Sequence, residues 1–159
     1  MLDANASLKL LCEQVRSAWP AAERPVIVGI HTGGAWIAEH LRESLGVVAP
    51  ISTLDIGFYR DDLSLSGFKG VSSSSLNESI DNREVLLVDD ILHSGRTIRA
   101  ALGALFDYGR PARVRLACLI ARDGRELPIQ ADFIGAQITL ERAAKLKLRG
   151  PDPLRLELL

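Results

Sequence analysis

Two adjacent carboxylates, Asp89 and Asp90, close the apolar run Val85-Leu86-Leu87-Val88 and lead through Ile91 and Leu92 into the small turn His93-Ser94-Gly95-Arg96-Thr97. The run reads as a short buried strand, and the spacing of Ile98, Leu102 and Leu105 after the turn predicts a helix. A helix start leaves backbone N–H groups unpaired and carries positive partial charge, so it stabilises a phosphate. Ser94 and Thr97 add hydroxyl donors, and Gly95 lets the backbone come close. Side-by-side carboxylates repel unless something takes their lone pairs, which a vicinal diol or a hydrated Mg2+ would do. A phosphate at the turn with a diol at the aspartates describes ribose 5-phosphate. Nucleotide hydrolases also place acids after a strand to hold Mg2+, but they carry an earlier glycine-rich loop ending in Gly-Lys-Ser/Thr. This chain has no such loop. Reading Ser94 as a plain helix cap leaves the paired aspartates idle.

The rest of the chain supplies elements that can position this turn. Leu8, Leu11, Val15 and Trp19 have helical spacing. Pro25 to Ile30 is a continuous apolar strand broken at Thr32-Gly33-Gly34, and Ala35 to Leu45 predicts a helix stopped by Gly46. Pro50 to Phe58 reads as a second strand. Tyr59 to Arg83 is polar, with Gly67, Gly70 and serines from Ser72 to Ser75, and is expected to be a mobile flap. After the Val85 strand and its helix to Tyr108, Gly109-Arg110-Pro111 is a stop. Ala112 to Ala121 and Ala131 to Ile138 read as further strands, and Leu154 to Leu159 as a short edge strand or a packed tail. Apolar strands alternating with helices predict an α/β fold, a parallel β-sheet flanked by helices. Its ligands are expected beyond the carboxyl ends of the strands, where the breaks after Ile30, Phe58 and Val88 gather.

At 159 residues and net charge −1, the chain is expected to form one domain over 1–159 with no general attraction to nucleic acid or membrane. Asp3, Glu13 and Arg16 argue against a signal peptide, and no apolar run approaches a membrane span. Cys12 and Cys118 read as small buried hydrophobes, which suits a reducing cytoplasm.

The run VDDILHSGRT resembles the phosphoribosyl-pyrophosphate (PRPP) motif of type I phosphoribosyltransferases. GIHTGG at 29–34, TLDIGFYRDDLS at 53–64 and DYGRPARVRLACLIARDGRELPIQADFIG at 107–135 narrow the resemblance to PyrR-type proteins. Those are uracil phosphoribosyltransferases that in some bacteria also regulate pyrimidine operons. The resemblance implies the type I phosphoribosyltransferase fold, transfer of ribose 5-phosphate from PRPP to N1 of uracil, Mg2+ as cofactor, and UMP and pyrophosphate as products. It implies that Val85 to Thr97 bind PRPP, with Asp89 and Asp90 holding the ribose hydroxyls directly or through Mg2+-bound water. His31, Thr32, Gly33 and Gly34 would form the pyrophosphate loop, and the flap would carry Arg60 inward as a catalytic cation. Ile120, Ala121, Arg122 and Arg125 would flank the base. His93 would stand near the base, either shuttling the N1 proton or merely filling the turn.

The family's first loop reads Thr-Arg-Gly where this chain has Thr32-Gly33-Gly34, and its base loop carries an acid where this chain has Ala121. A nucleotide-sensing regulator with weak or lost catalysis is the alternative, and transfer to a purine or another base is a third reading. The family also implies a homo-oligomer, to which Trp36, Phe58 and the apolar tail could contribute. RNA binding is not favoured: Arg113 and Arg115 on one strand, and Arg142, Lys145 and Arg149 on an expected helix face, read as solvated faces.

Overall fold

The apolar runs at 26–30, 85–88 and 116–121 become neighbouring strands that are buried on both faces, as in a covered parallel sheet. The computed structural model describes residues 2–57 and 74–159. Its elements are α1 (Ala4–Ala18), β1 (Val26–Ile30), α2 (Gly33–Leu45), β2 (Ser52–Leu54), β3 (Glu84–Leu92), α3 (Arg96–Tyr108), β4 (Arg113–Arg122), β5 (Phe133–Ile138), β6 (Leu146–Arg149) and β7 (Arg155–Leu158). The first five strands form one parallel sheet in the order β2-β1-β3-β4-β5.

Strand alternation divides the core into two layers. Leu86 and Val88 join Ala117 and Leu119 beneath α1 and α2, whose Leu8, Leu11, Val15, Ile37 and Leu41 complete that layer. Val85 and Leu87 join Val26, Val28 and Cys118 on the opposite face, against Ile98, Ala101 and Leu105 of α3. Cys118 is fully buried, and desolvation first, then Asp89 and Asp90, push its thiol pKa well above the ordinary value. It therefore acts as a small hydrophobe, as expected from sequence.

Local signals set the element ends. Asp3 caps α1 by accepting from the Asn5 N–H at 2.9 Å. Gly46 ends α2 with φ 65°, a conformation that costs glycine little. The exposed edge of β5 is partly covered by Gln14, which donates to the Ile134 carbonyl at 2.8 Å and accepts from its N–H at 3.3 Å.

Some expectations change. The second strand shortens to Ser52–Leu54. Of the segment expected to form the flap, Ser74 to Arg83 lie within the described residues. Ser75 and Thr53 exchange backbone hydrogen bonds, Asn77 donates to the Ile51 carbonyl at 2.6 Å, and Ile80 is buried, so this stretch is pinned to the β2 edge. The rest of that segment, with Phe58, Tyr59 and Arg60, lies outside the described residues.

No helix carries Arg142, Lys145 and Arg149. Leu146 and Leu148 repeat every second residue, and Leu146 to Arg149 pairs antiparallel with Arg155 to Leu158. Pro151 and Pro153 lie in the connecting turn, where proline opposes helix. Leu148 and Leu154 of this hairpin join the layer under α2, and Trp36 packs against the same layer. At the opposite end of the sheet Arg113 and Arg115 are not simply solvated. Both pair with Glu84, which also accepts from Trp19 Nε1 at 2.6 Å, and the Arg115 guanidinium lies 4.7 Å from the Trp19 ring centre.

Among the described residues no helix is long and apolar enough to cross a membrane.

Candidate active site

β3 continues through the acidic pair to Leu92, because Asp89, Ile91 and Leu92 are in register with Cys118, Ile120 and Ala121 of β4. The carboxylates thus stand on a rigid strand rather than on a loop, which favours accurate placement. Asp89 is buried at 5% exposure, and its Oδ1 accepts from the Asp90 N–H at 2.9 Å. Asp90 Oδ1 accepts in turn from the Ile91 N–H at 2.8 Å.

Helix starts lie on both sides of this pair. Thr32 precedes α2 and makes no side-chain cap bond, while Gly95 precedes α3, whose first amide, the Arg96 N–H, donates to Ser94 Oγ at 3.2 Å; a helix start suits an anion. The α2 start sits directly on the acidic pair. A Cβ at Gly34 would meet the Val88 carbonyl and lie 2.9 Å from Asp89 Cα, and one at Gly33 would run into the Asp90 carboxylate. Gly34 is therefore required by close approach to the β3 backbone, and a side chain at Gly33 would force the Asp90 side chain to move. His31 and Thr32 are exposed at the mouth of this loop.

The α3 start bounds a small cavity of about 150 Å³, lined by Asp89, Ile91, Leu92, His93, Ser94, Gly95, Thr97 and Ile98. Gly95 turns here with φ 93°, which lets the chain enter α3 within one residue. Arg96 faces away from the cavity and pairs with Glu126 at 2.7 Å.

A larger cavity of about 580 Å³ lies on the other side of Asp90, lined by Ile91, His93, Arg122 and residues 142–147. The segment read as flanking the base divides here. Ile120 and Ala121 are buried within β4, and Arg122 reaches the cavity. Arg125 instead donates to the His93 carbonyl. The N–H groups of Glu126 and Leu127 both donate to the Ser94 carbonyl, at 2.9 and 3.2 Å. Residues 125–127 therefore buttress the small-cavity turn. His93 is exposed on one side, while its ring lies against Gly124, where a Cβ would sit 2.8 Å from Nε2. Lost hydration and the Arg122 charge, with a smaller push from Arg125, hold its pKa below the ordinary imidazole value, against the opposing pull of Glu126 and Asp123.

The buttress has a modest expected role of its own. Hydrogen bonding to Arg96 keeps the Glu126 carboxyl below its usual pKa, yet both partners are more than half exposed. Glu126→Gln is expected to weaken binding of a sugar phosphate by about two- to five-fold at low salt and by less at high salt, checked by titration calorimetry at two ionic strengths. The backbone bonds to Ser94 remain in that variant and limit the loss.

The phosphoribosyl transferase domain profile matches residues 6–145. Over 136 residues the chain is 54% identical to the bifunctional protein PyrR of Pseudomonas paraeruginosa, spanning 85% of this chain and 80% of that protein. The chain belongs to the PyrR branch of the phosphoribosyl transferase family. A bifunctional protein PyrR of Nitrosococcus oceani is 49% identical over 143 residues, spanning 88% of this chain and 81% of that one. Among solved structures, the hypoxanthine phosphoribosyltransferase of Trypanosoma cruzi superposes with TM-score 0.70 at 18% identity, covering 100% of this chain and 94% of that one. The purine phosphoribosyltransferase of Pyrococcus horikoshii gives 0.64 at 22% identity, covering 86% and 85%. At such identities these two show the fold alone. It is the phosphoribosyltransferase α/β fold expected from sequence.

Of the expected site residues within the described chain, His31 to Gly34, Asp89 to Thr97, Arg122 and Arg125 lie at the carboxyl end of the phosphoribosyltransferase sheet, while Val85 to Val88, Ile120 and Ala121 are buried in its core rather than at the site. The sequence reading missed the wall formed by residues 142–147, because a short run of cationic and apolar residues with no glycine-rich or acidic break gives no local sign of a site.

Proposed function

We propose that the protein is a uracil phosphoribosyltransferase that converts uracil and PRPP to UMP and pyrophosphate. The observation that carries this reading is the placement of Asp89 and Asp90 between the α2 and α3 helix starts and beside a separate cavity. PRPP has two anionic ends joined by a diol-bearing ring, and this arrangement suits each part. In this reading the Ser94–Thr97 turn holds the 5-phosphate, the acidic pair holds the ribose hydroxyls, and the His31–Gly34 loop faces the pyrophosphate. The base occupies the larger cavity. The choice of uracil rests on the likeness to PyrR proteins and on the motifs that resemble them.

The residues present fit a Mg2+ ion that arrives with pyrophosphate. Among the described residues no cluster of three or more His, Cys, Asp or Glu could hold a metal alone. Mg2+ commonly takes one or two carboxylates and completes its shell with water and substrate phosphate. Asp89 and Asp90 would hold it, and its charge would stabilise the leaving pyrophosphate.

The chain's own groups account for the remaining requirements. Breaking the C1–O bond leaves positive charge on the ribose and negative charge on pyrophosphate, while uracil N1 forms the new bond to C1 and gives up its proton. The carboxylates favour the cationic ribose, and the α2 amides favour the departing anion. Positioning of the ring by the 5-phosphate turn supplies orientation. His93, at the border of both cavities, is placed to accept the N1 proton. Its depressed pKa keeps the imidazole neutral, the form that accepts a proton, down to a pH below the ordinary value near ~6.5. The acid limb of the kcat profile is accordingly expected below that pH, and His93→Gln is expected to remove the limb and lower kcat by about 10²-fold. An unchanged limb in the variant would show that His93 only fills the turn.

The test of the function is pyrophosphate release from PRPP and Mg2+ with uracil, hypoxanthine or guanine offered separately and in competition. Uracil-dependent release with UMP formation is expected, and preference for either purine would overturn the base assignment. A nucleotide-sensing regulator is the second reading, favoured by the bifunctional relatives. It requires UMP or PRPP binding without turnover. Mg2+, RNA and a second copy of the chain are partners that the family likeness suggests.

A further inference from the structure

Arg122 ends β4 with its side chain 4% exposed. A buried guanidinium is costly unless its charge and donors are met. Among the described residues no carboxylate lies within ion-pair distance of it. It donates instead to backbone, from Nη1 to the Ala144 carbonyl at 2.6 Å and from Nη2 to the Glu141 carbonyl at 3.3 Å. Its Nε, also buried, has no partner there.

Both carbonyls belong to the connection between β5 and β6, which has no regular structure from Thr139 to Lys145. The next residue of the β4 end holds the same connection, since Asp123 Oδ1 accepts from the Leu140 N–H at 3.0 Å. Arg142, Ala143, Ala144 and Lys145 of this connection form one wall of the larger cavity, facing Asp90 and His93. An irregular segment of this kind has few bonds of its own to fix its distance from the sheet. Apart from the turn bond from the Ala144 N–H to the Glu141 carbonyl at 3.0 Å, its position depends on the β4 end and on Lys145 joining Leu159.

We propose that Arg122 is a positioning residue for the base. By tying the Glu141 and Ala144 carbonyls to the end of β4 it sets the width of the base cavity. It leaves the sugar-phosphate turn, held separately by residues 125–127, unaffected. The proposal rests on the reading that the base occupies the larger cavity. A residue that merely stabilised the fold would alter every ligand through the folded fraction. A wall-setting residue alters the ligand that reaches the wall.

The experiment compares UMP with ribose 5-phosphate by titration calorimetry on the full chain, in wild type, Arg122→Met and Arg122→Lys. Arg122→Met is expected to weaken UMP by about ten-fold or more, the scale of lost charged hydrogen bonds, with ribose 5-phosphate unchanged within about two-fold. Arg122→Lys is expected to fall between, since an ammonium keeps the charge without the planar fork that meets two carbonyls at once. If Arg122→Met does not fold, Arg122→Lys alone decides by the same split. Equal weakening of both ligands, or wild-type UMP affinity in the folded variants, overturns the proposal. Because the readout is binding, its failure is distinct from failure of the uracil reading, which is wild-type protein that makes no UMP.

Discussion

Asp89→Asn combined with Asp90→Asn will lower UMP formation by at least about 10³-fold while the protein stays folded, since each charge aimed at the developing cation is worth roughly 10²–10³ in rate. Asparagine has the same shape and keeps a side-chain oxygen. The bonds from the Asp90 and Ile91 N–H groups, at 2.9 and 2.8 Å, can therefore persist. Removing two neighbouring like charges from the end of a buried strand also relieves repulsion. The melting temperature is accordingly expected to hold or rise. Thermal melting and UMP production measured on the same preparation separate the effects. Turnover within ten-fold of wild type would remove the acidic pair from the mechanism, and lost turnover with a collapsed melt would give it a structural role.

Gly33→Arg will impair PRPP use rather than improve it, although related first loops carry arginine there. On charge alone, an arginine facing pyrophosphate should add a charged hydrogen bond of about 1.5–3 kcal/mol. In this chain the α2 start lies too close to β3 for that. The new Cβ would fall 2.6 Å from Asp90 Cγ and 2.9 Å from Asp90 Cβ, inside any tolerable contact. Either Asp90 swings away from the ribose or α2 lifts from the sheet. Overpacking of this kind costs about 1–3 kcal/mol. The expected result is a fall in kcat/KM for PRPP of about ten-fold or more, given how steeply rate depends on placement. Gly33→Ala should show part of the same loss, because the collision begins at Cβ. A gain in kcat/KM for PRPP in the arginine variant would show that Asp90 yields without consequence.

These two variants also mark what could be read from sequence. The acidic pair, the phosphate turn and the helix after it are contiguous, so the residues that make the chemistry also make the strand, turn and helix that present it. Local periodicity likewise revealed the parallel strands, since a strand buried on both faces must be apolar throughout. The PRPP-like motif and its place beyond the carboxyl ends of a parallel sheet were therefore legible together, while the strand order β2-β1-β3-β4-β5 was not.

The tertiary structure decided the contacts between distant segments. Gly33 looks in sequence like a missing cation, and only the packing of α2 on β3 shows that Asp90 occupies its Cβ position. Arg125 and Glu126 looked like base-loop residues, yet their bonds reach back to His93, Ser94 and Arg96, about thirty positions away. Arg142, Lys145 and Arg149 looked helical and solvated, yet residues 142–147 became a cavity wall because the β6–β7 hairpin and Arg122 hold them there. A side chain's type states what it can donate, accept or repel. Which partner it meets depends on how the sheet and helices pack, and no local pattern encodes that.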